Sequence, residues 1–150
     1  QYKIINIGTE SIIILKDEKG IIKAHYNVCR HRGTRICNEK NGNFSKSIQC
    51  GYHGWTYTLD GKLIGAPHMD SVENFDKSDY SMFPVHIKEW EGFIFINLSN
   101  DPEDFNQTFS PIIGRFSNWD ISNLKTLEII PLEKLKMILV VYPICQRVFR

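Results

Sequence analysis

Two short boxes constrain this chain more than any other feature. The first reads Cys29-Arg30-His31-Arg32-Gly33, the second Cys50-Gly51-Tyr52-His53-Gly54-Trp55-Thr56-Tyr57. Each supplies one Cys and one His, separated by one residue in the first box and two in the second. Eighteen residues lie between His31 and Cys50. Each box follows a strand-like run and carries a Gly within two positions of its His. This pattern predicts two loop tips, each presenting a soft thiolate and an imidazole towards the other, a donor set suited to a transition metal.

The flanking sequence is β-like. Ile12-Ile13-Ile14-Leu15, then Asp17-Glu18-Lys19-Gly20, then Ile21 to Tyr26 reads as a hairpin. Gln49 to Leu59 reads as two short strands around a His-Gly corner, and Asp60-Gly61 turns the chain into Lys62-Leu63-Ile64. Val85 to Trp90, Glu91-Gly92 and Phe93 to Leu98 form another hairpin, because Gly accepts positive φ at little cost. Residues 66–83 mix Pro, Asp, Ser and Asn and read as a long connector. Asp101-Pro102-Glu103-Asp104 starts a helix, with Phe105, Phe109, Ile112, Ile113 and Phe116 as its packing stripe. No apolar run approaches the length of a membrane span.

A structural zinc site favours Cys pairs and His pairs at wider spacings. Here each loop gives one donor of each kind, with a tight Cys-x-His. A binuclear centre in which one iron takes two Cys and the other two His meets that split symmetrically. The boxes, with Arg-His-Arg-Gly and Tyr-His-Gly-Trp-x-Tyr, resemble the Rieske domain of ring-hydroxylating oxygenase α subunits. Asn27-Val28, Leu59-Asp60-Gly61-Lys62-Leu63 and Trp90 to Leu98 extend the resemblance across about residues 8–100, and more loosely to about 130. One departure falls inside the site: Gly51 stands where the family usually has Pro. A looser loop around an intact site is the expectation.

The resemblance implies a mainly β Rieske-type fold of small antiparallel sheets with two cluster-binding loops and a short α/β C-terminal segment. Residues 1–100 would form the Rieske domain, and 101–150 a linker and the start of a catalytic domain. It implies a [2Fe–2S] cluster held by Cys29, His31, Cys50 and His53. Cys29 and Cys50 would bind one iron, His31 and His53 the other. Two ferric ions, two sulfides and two thiolates sum to a neutral oxidised cluster, so histidine ligation raises the potential over a four-Cys cluster. With no serine hydroxyl placed to bond the cluster, the low end of the Rieske range is expected, and Trp55 and Tyr57 read as apolar cover. Cys37 and Cys145 read as free buried thiols, the usual state inside a cell.

The implied function is electron transfer within a multicomponent oxygenase that hydroxylates an aromatic or quaternary-amine substrate with O₂. A reductase or ferredoxin would be the electron donor, other α subunits would be partners, and the setting would be cytoplasmic. The mononuclear non-haem iron would sit in a catalytic domain beyond this length of chain, so no catalytic residue is assigned here. His68, Asp70 and His86 read as surface or turn residues rather than its ligands, and His25 as an ordinary sheet residue. A stand-alone Rieske ferredoxin is the alternative, although residues 66–130 exceed a minimal carrier. A zinc-binding structural module is the remoter one. Net charge is +1, which speaks against a nucleic-acid or membrane anchor. Residues 1–65 nevertheless carry ten Lys/Arg against five Asp/Glu, with Arg30, Arg32 and Arg35 beside the first box.

Overall fold

The computed structural model describes residues 1–124 and 147–148. They are mainly β, as expected, and fall into two compact units, 1–85 and 86–150. In the first unit, β1 (Tyr2–Ile7), β2 (Glu10–Lys16), β3 (Ile22–Tyr26) and β4 (Asn41–Gly42) make an antiparallel sheet in the order β3-β2-β1-β4. Its second strand carries the Ile12–Leu15 run, all four residues buried, and β-branched side chains suit such a doubly covered position. A second sheet, β5 (Ser47–Gln49), β6 (Thr56–Thr58) and β7 (Leu63–Gly65), is likewise antiparallel. Ile13, Leu15, Ile48, Trp55, Tyr57, Leu63 and Met82 share one core with the cysteines of both boxes.

The connector is more ordered than its composition predicts. Asp76 caps a 3₁₀ turn at Lys77–Tyr80, accepting from the Ser78 amide. Beyond it, the Met82 amide donates to the Gly61 carbonyl and the Tyr26 amide to the Phe83 carbonyl. Phe75 and Tyr80 pack edge-on to Trp55, at 5.8 and 5.6 Å between ring centroids. The segment therefore covers the aromatic side of the second box.

In the second unit, β8 (His86–Trp90) and β9 (Phe93–Asn97) form the expected hairpin, with Glu91 and Gly92 both at positive φ. β10 (Arg147–Val148) pairs with β9. The helix after residue 101 is shorter than expected. Asp104 caps α1 (Phe105–Phe109), and the Phe105–Phe109 part of the stripe stacks at 4.3 Å. The rest of the stripe lies in turns, because Pro111 lacks the amide to continue the helix. Much of the expected 101–150 segment, including Cys145, lies outside the described residues. No helix among those described is long and apolar enough to cross a membrane.

Candidate metal centre

Both boxes fold into the same turn. The Cys29 amide donates to the Thr34 carbonyl at 2.8 Å, and the Gly33 amide returns to the Cys29 carbonyl at 2.9 Å. In the second box, the Cys50 amide donates to the Trp55 carbonyl at 2.8 Å and the Gly54 amide to the Cys50 carbonyl at 3.0 Å. Gly33 and Gly54 occupy equivalent places with φ of 71° and 72°, where an L side chain is disfavoured. Gly51, in place of the usual Pro, leaves this turn closed. The first turn follows β3; the second is the loop of the β5–β6 hairpin.

The two turns bring all four expected donors together in pairs. Cys29 and Cys50 are buried, 2% and 1% exposed, and near enough for Cys50 to act on the Cys29 thiol. His31 Nδ1 and His53 Nδ1 lie 3.0 Å apart, their rings crossing at 73°. Burial pushes the Cys29 thiol up, and neighbouring Cys50 pushes it further, against hydrogen bonds from Tyr57 and the His31 amide. The His31 imidazole is held down by desolvation first, then by His53 and Arg32. Neutral imidazole is the form that binds metal, and a bound cation would draw the proton from the thiol.

The donor set fits a binuclear cluster. Among the described residues no three His, Cys, Asp or Glu side chains gather as a site for one metal ion, although a single tetrahedral zinc needs such a gathering. Sulfur facing sulfur and nitrogen facing nitrogen is the split that two irons of different ligation require. His68 and His86 are exposed and belong to no such group. His25 lies buried in β3, Nε2 3.1 Å from the Leu59 carbonyl, as a sheet residue. Cys29, Cys37 and Cys50 are free thiols, and burial pushes Cys37 up to about 11.

Two supporting residues escape a reading by sequence. Tyr57 is more than apolar cover: its hydroxyl lies 3.2 Å from Cys29 Sγ and accepts the Arg30 amide at 3.1 Å. The ring is fully buried, and desolvation with Cys29 alongside raises its phenol well above the usual range. Leaving its proton unmatched would cost about 1–3 kcal/mol, so the hydroxyl donates to sulfur. Asn27 is the other. Its Oδ1 accepts the Ile36 and Cys37 amides, and its Nδ2 donates to the Cys37 carbonyl at 2.7 Å and to Ser11 Oγ. Every hydrogen-bonding position of this buried amide is filled, which fastens the base of the first loop. An Asn just past a strand, immediately before the first box, was the available signal.

Aromatic rings bracket the imidazoles. Trp55 is buried and stacks on His31, 4.8 Å between centroids and 9° between planes. Tyr52, 64% exposed, lies over His53 at 3.8 Å. Of the three arginines, Arg32 and Arg35 are exposed. Arg30 instead donates to the Asp79 carbonyl and lies over the Phe83 ring.

Residues 1–76 match the family model of the Rieske [2Fe–2S] domain. The glycine betaine monooxygenase oxygenase subunit of Chromohalobacter salexigens is 35% identical over 124 residues, 83% of this chain and 27% of that protein. The carnitine monooxygenase oxygenase subunit of Acinetobacter pittii is 41% identical over 92 residues, 61% of this chain and 24% of that one. Among solved structures, a quaternary ammonium Rieske monooxygenase in complex with L-carnitine superposes with a TM-score of 0.74 at 34% identity. The match covers 83% of this chain and 36% of that chain. A naphthalene 1,2-dioxygenase from Rhodococcus sp. gives 0.64 at 33% identity, covering 71% and 24%. The chain spans about a quarter of the length of these two curated relatives.

Proposed function

The chain belongs to the Rieske [2Fe–2S] domain family, and on that premise we propose that it carries single electrons inside a multicomponent Rieske oxygenase. Cys29 and Cys50 would hold one iron of the cluster, and His31 and His53 the other. The observation that carries this is the pairing of two buried thiols and of two Nδ1 atoms 3.0 Å apart. The cluster, when bound, supplies a one-electron couple whose potential responds to hydrogen bonds at its sulfurs and to solvent exposure.

The chain's own groups set those conditions. The core around Cys29 and Cys50 keeps water from the sulfurs, with Trp55 and its connector partners Phe75 and Tyr80 closing one side. The Tyr57 hydroxyl donates to Cys29 Sγ, which favours the more electron-rich state. That argues for a potential above the low end expected from the sequence.

The wider assignment follows from the relatives' names. A quaternary amine is the favoured substrate class, since two of the matched proteins are named for glycine betaine and carnitine. Its oxidation would take place at a mononuclear iron outside the described residues. Residues 1–100 would serve as the Rieske domain and 101–150 as the linker towards a catalytic domain. A reductase or ferredoxin would deliver the electron, other α subunits would complete the enzyme, and the setting would be the cytoplasm.

Anaerobic purification tests the centre itself. Two irons and two acid-labile sulfides per chain, with a Rieske-type EPR signal on reduction, are expected. Stoichiometric zinc without sulfide would overturn the reading.

A further inference from the structure

We propose that Arg30 is a positioning residue for the electron-transfer centre, setting its potential through Tyr57 rather than through its own charge. This rests on the cluster reading above. The Arg30 amide donates to the Tyr57 hydroxyl at 3.1 Å, and the same hydroxyl lies 3.2 Å from Cys29 Sγ. An amide can only donate, so it occupies a lone pair of the phenol oxygen and turns the phenol proton away from itself. The acceptor that remains within reach is the sulfur. Cys29 and Arg30 are consecutive, so one peptide fixes both ends of the arrangement.

The guanidinium ties Arg30 to the connector. Arg30 Nη2 donates to the Asp79 carbonyl at 3.1 Å, and Cζ lies 3.9 Å from the centroid of the Phe83 ring. Its Nε is buried and meets no acceptor among the described residues. The carbonyl and the ring are thus the contacts that place it. Both belong to the ordered connector: Asp79 lies in the capped 3₁₀ turn, and the Phe83 carbonyl accepts from the Tyr26 amide at the end of β3. A path of contacts runs from the connector through Arg30 and the Tyr57 hydroxyl to a cluster sulfur. Loosening its outer end lets the Tyr57 proton drift off Sγ, which lowers the potential.

The test is a double-mutant cycle read by redox titration of the 150-residue chain, with iron and sulfide content matched among variants. Y57F is expected to lower the reduction equilibrium constant about tenfold, about 59 mV for one electron. F83L, which changes no charge and leaves both loops untouched, should give a smaller shift in the same direction. In the Y57F background F83L should give none. R30Q should behave like F83L, losing more than half of its shift when Tyr57 is already Phe. Shifts of R30Q that persist in full beside Y57F would show a through-space charge effect and overturn the proposal. An F83L potential equal to wild type would overturn it too. Either result with the cluster present leaves the cluster reading standing, whereas a chain that takes up no iron and sulfide defeats both.

Discussion

Replacing Gly61 and Gly33 with alanine separates backbone strain from crowding. Both glycines have positive φ, 84° and 71°. Either alanine would cost about 1–2 kcal/mol for the left-handed backbone, offset by about 0.4–1 kcal/mol from a less flexible unfolded chain. The surroundings differ sharply. A Cβ on Gly33 would meet nothing within 4 Å, whereas one on Gly61 would sit 2.8 Å from His25 Cε1, 3.0 Å from Nδ1 and 3.3 Å from Met82 Cβ. His25 has little room to retreat, being buried and tied to the Leu59 carbonyl. Overpacking of this kind adds about 1–3 kcal/mol. G33A should therefore lose about 1 kcal/mol and G61A about 2–4 kcal/mol. In urea melts at equal cluster loading, with a slope of about 2 kcal/mol/M, the midpoints should fall by about 0.5 M and 1–2 M respectively. A G61A midpoint no lower than that of G33A would refute the reasoning, since both share the positive-φ backbone and only Gly61 adds the crowded contact.

Acid should weaken the fold through His25, whose imidazole is held below its ordinary range by burial, against the Leu59 carbonyl and Asp60, with Lys23 adding to the depression. A depressed folded-state value means the unfolded chain binds the proton first. Stability is then full above about pH 6.5 and falls as pH drops towards the folded value. Urea midpoints across that window should slope in the wild type and flatten in H25Q; equal slopes would reject the assignment. N27A should cost about 3 kcal/mol by stranding the Ile36 and Cys37 amides, and a thermal melt within a degree of wild type would contradict the bracing role. H31C or H53C should lower the potential or lose the cluster, because a thiolate brings a negative charge to the iron. A raised potential in either variant would argue against histidine ligation.

What the sequence disclosed and what it withheld divide along a physical line. Local features were readable: a turn that needs Gly, a hairpin joined by Glu91-Gly92, and the two boxes whose turns bring Cys29, His31, Cys50 and His53 together. Contacts between distant segments were not. β4 is two residues long and exists because Asn41 and Gly42 pair with Lys3 and Tyr2, which no periodicity announces. Tyr57 looked apolar because its ring is; its function rests on one oxygen meeting Cys29, twenty-eight residues away. The connector's polar composition concealed Phe75, Tyr80 and Phe83, three aromatic contacts spaced too irregularly to form a stripe. The helical stripe after residue 104 was legible as far as Phe109, where Pro111 ends it.

The repeated turn also bears on the order of assembly. Each copy closes its own ring of hydrogen bonds within six residues, and the second is the loop of a hairpin whose strands are three residues each. Loops that small close on roughly the ten-nanosecond scale and hairpins within microseconds, so neither half of the donor set has to wait for the sheets. Only the meeting of the halves is non-local, and it carries the loop-closure entropy of the stretch between them. A nascent chain could thus present two competent half-sites before it has a core. Iron and sulfide arriving then would act as a clasp, joining the halves and drawing the rest of the fold in behind them.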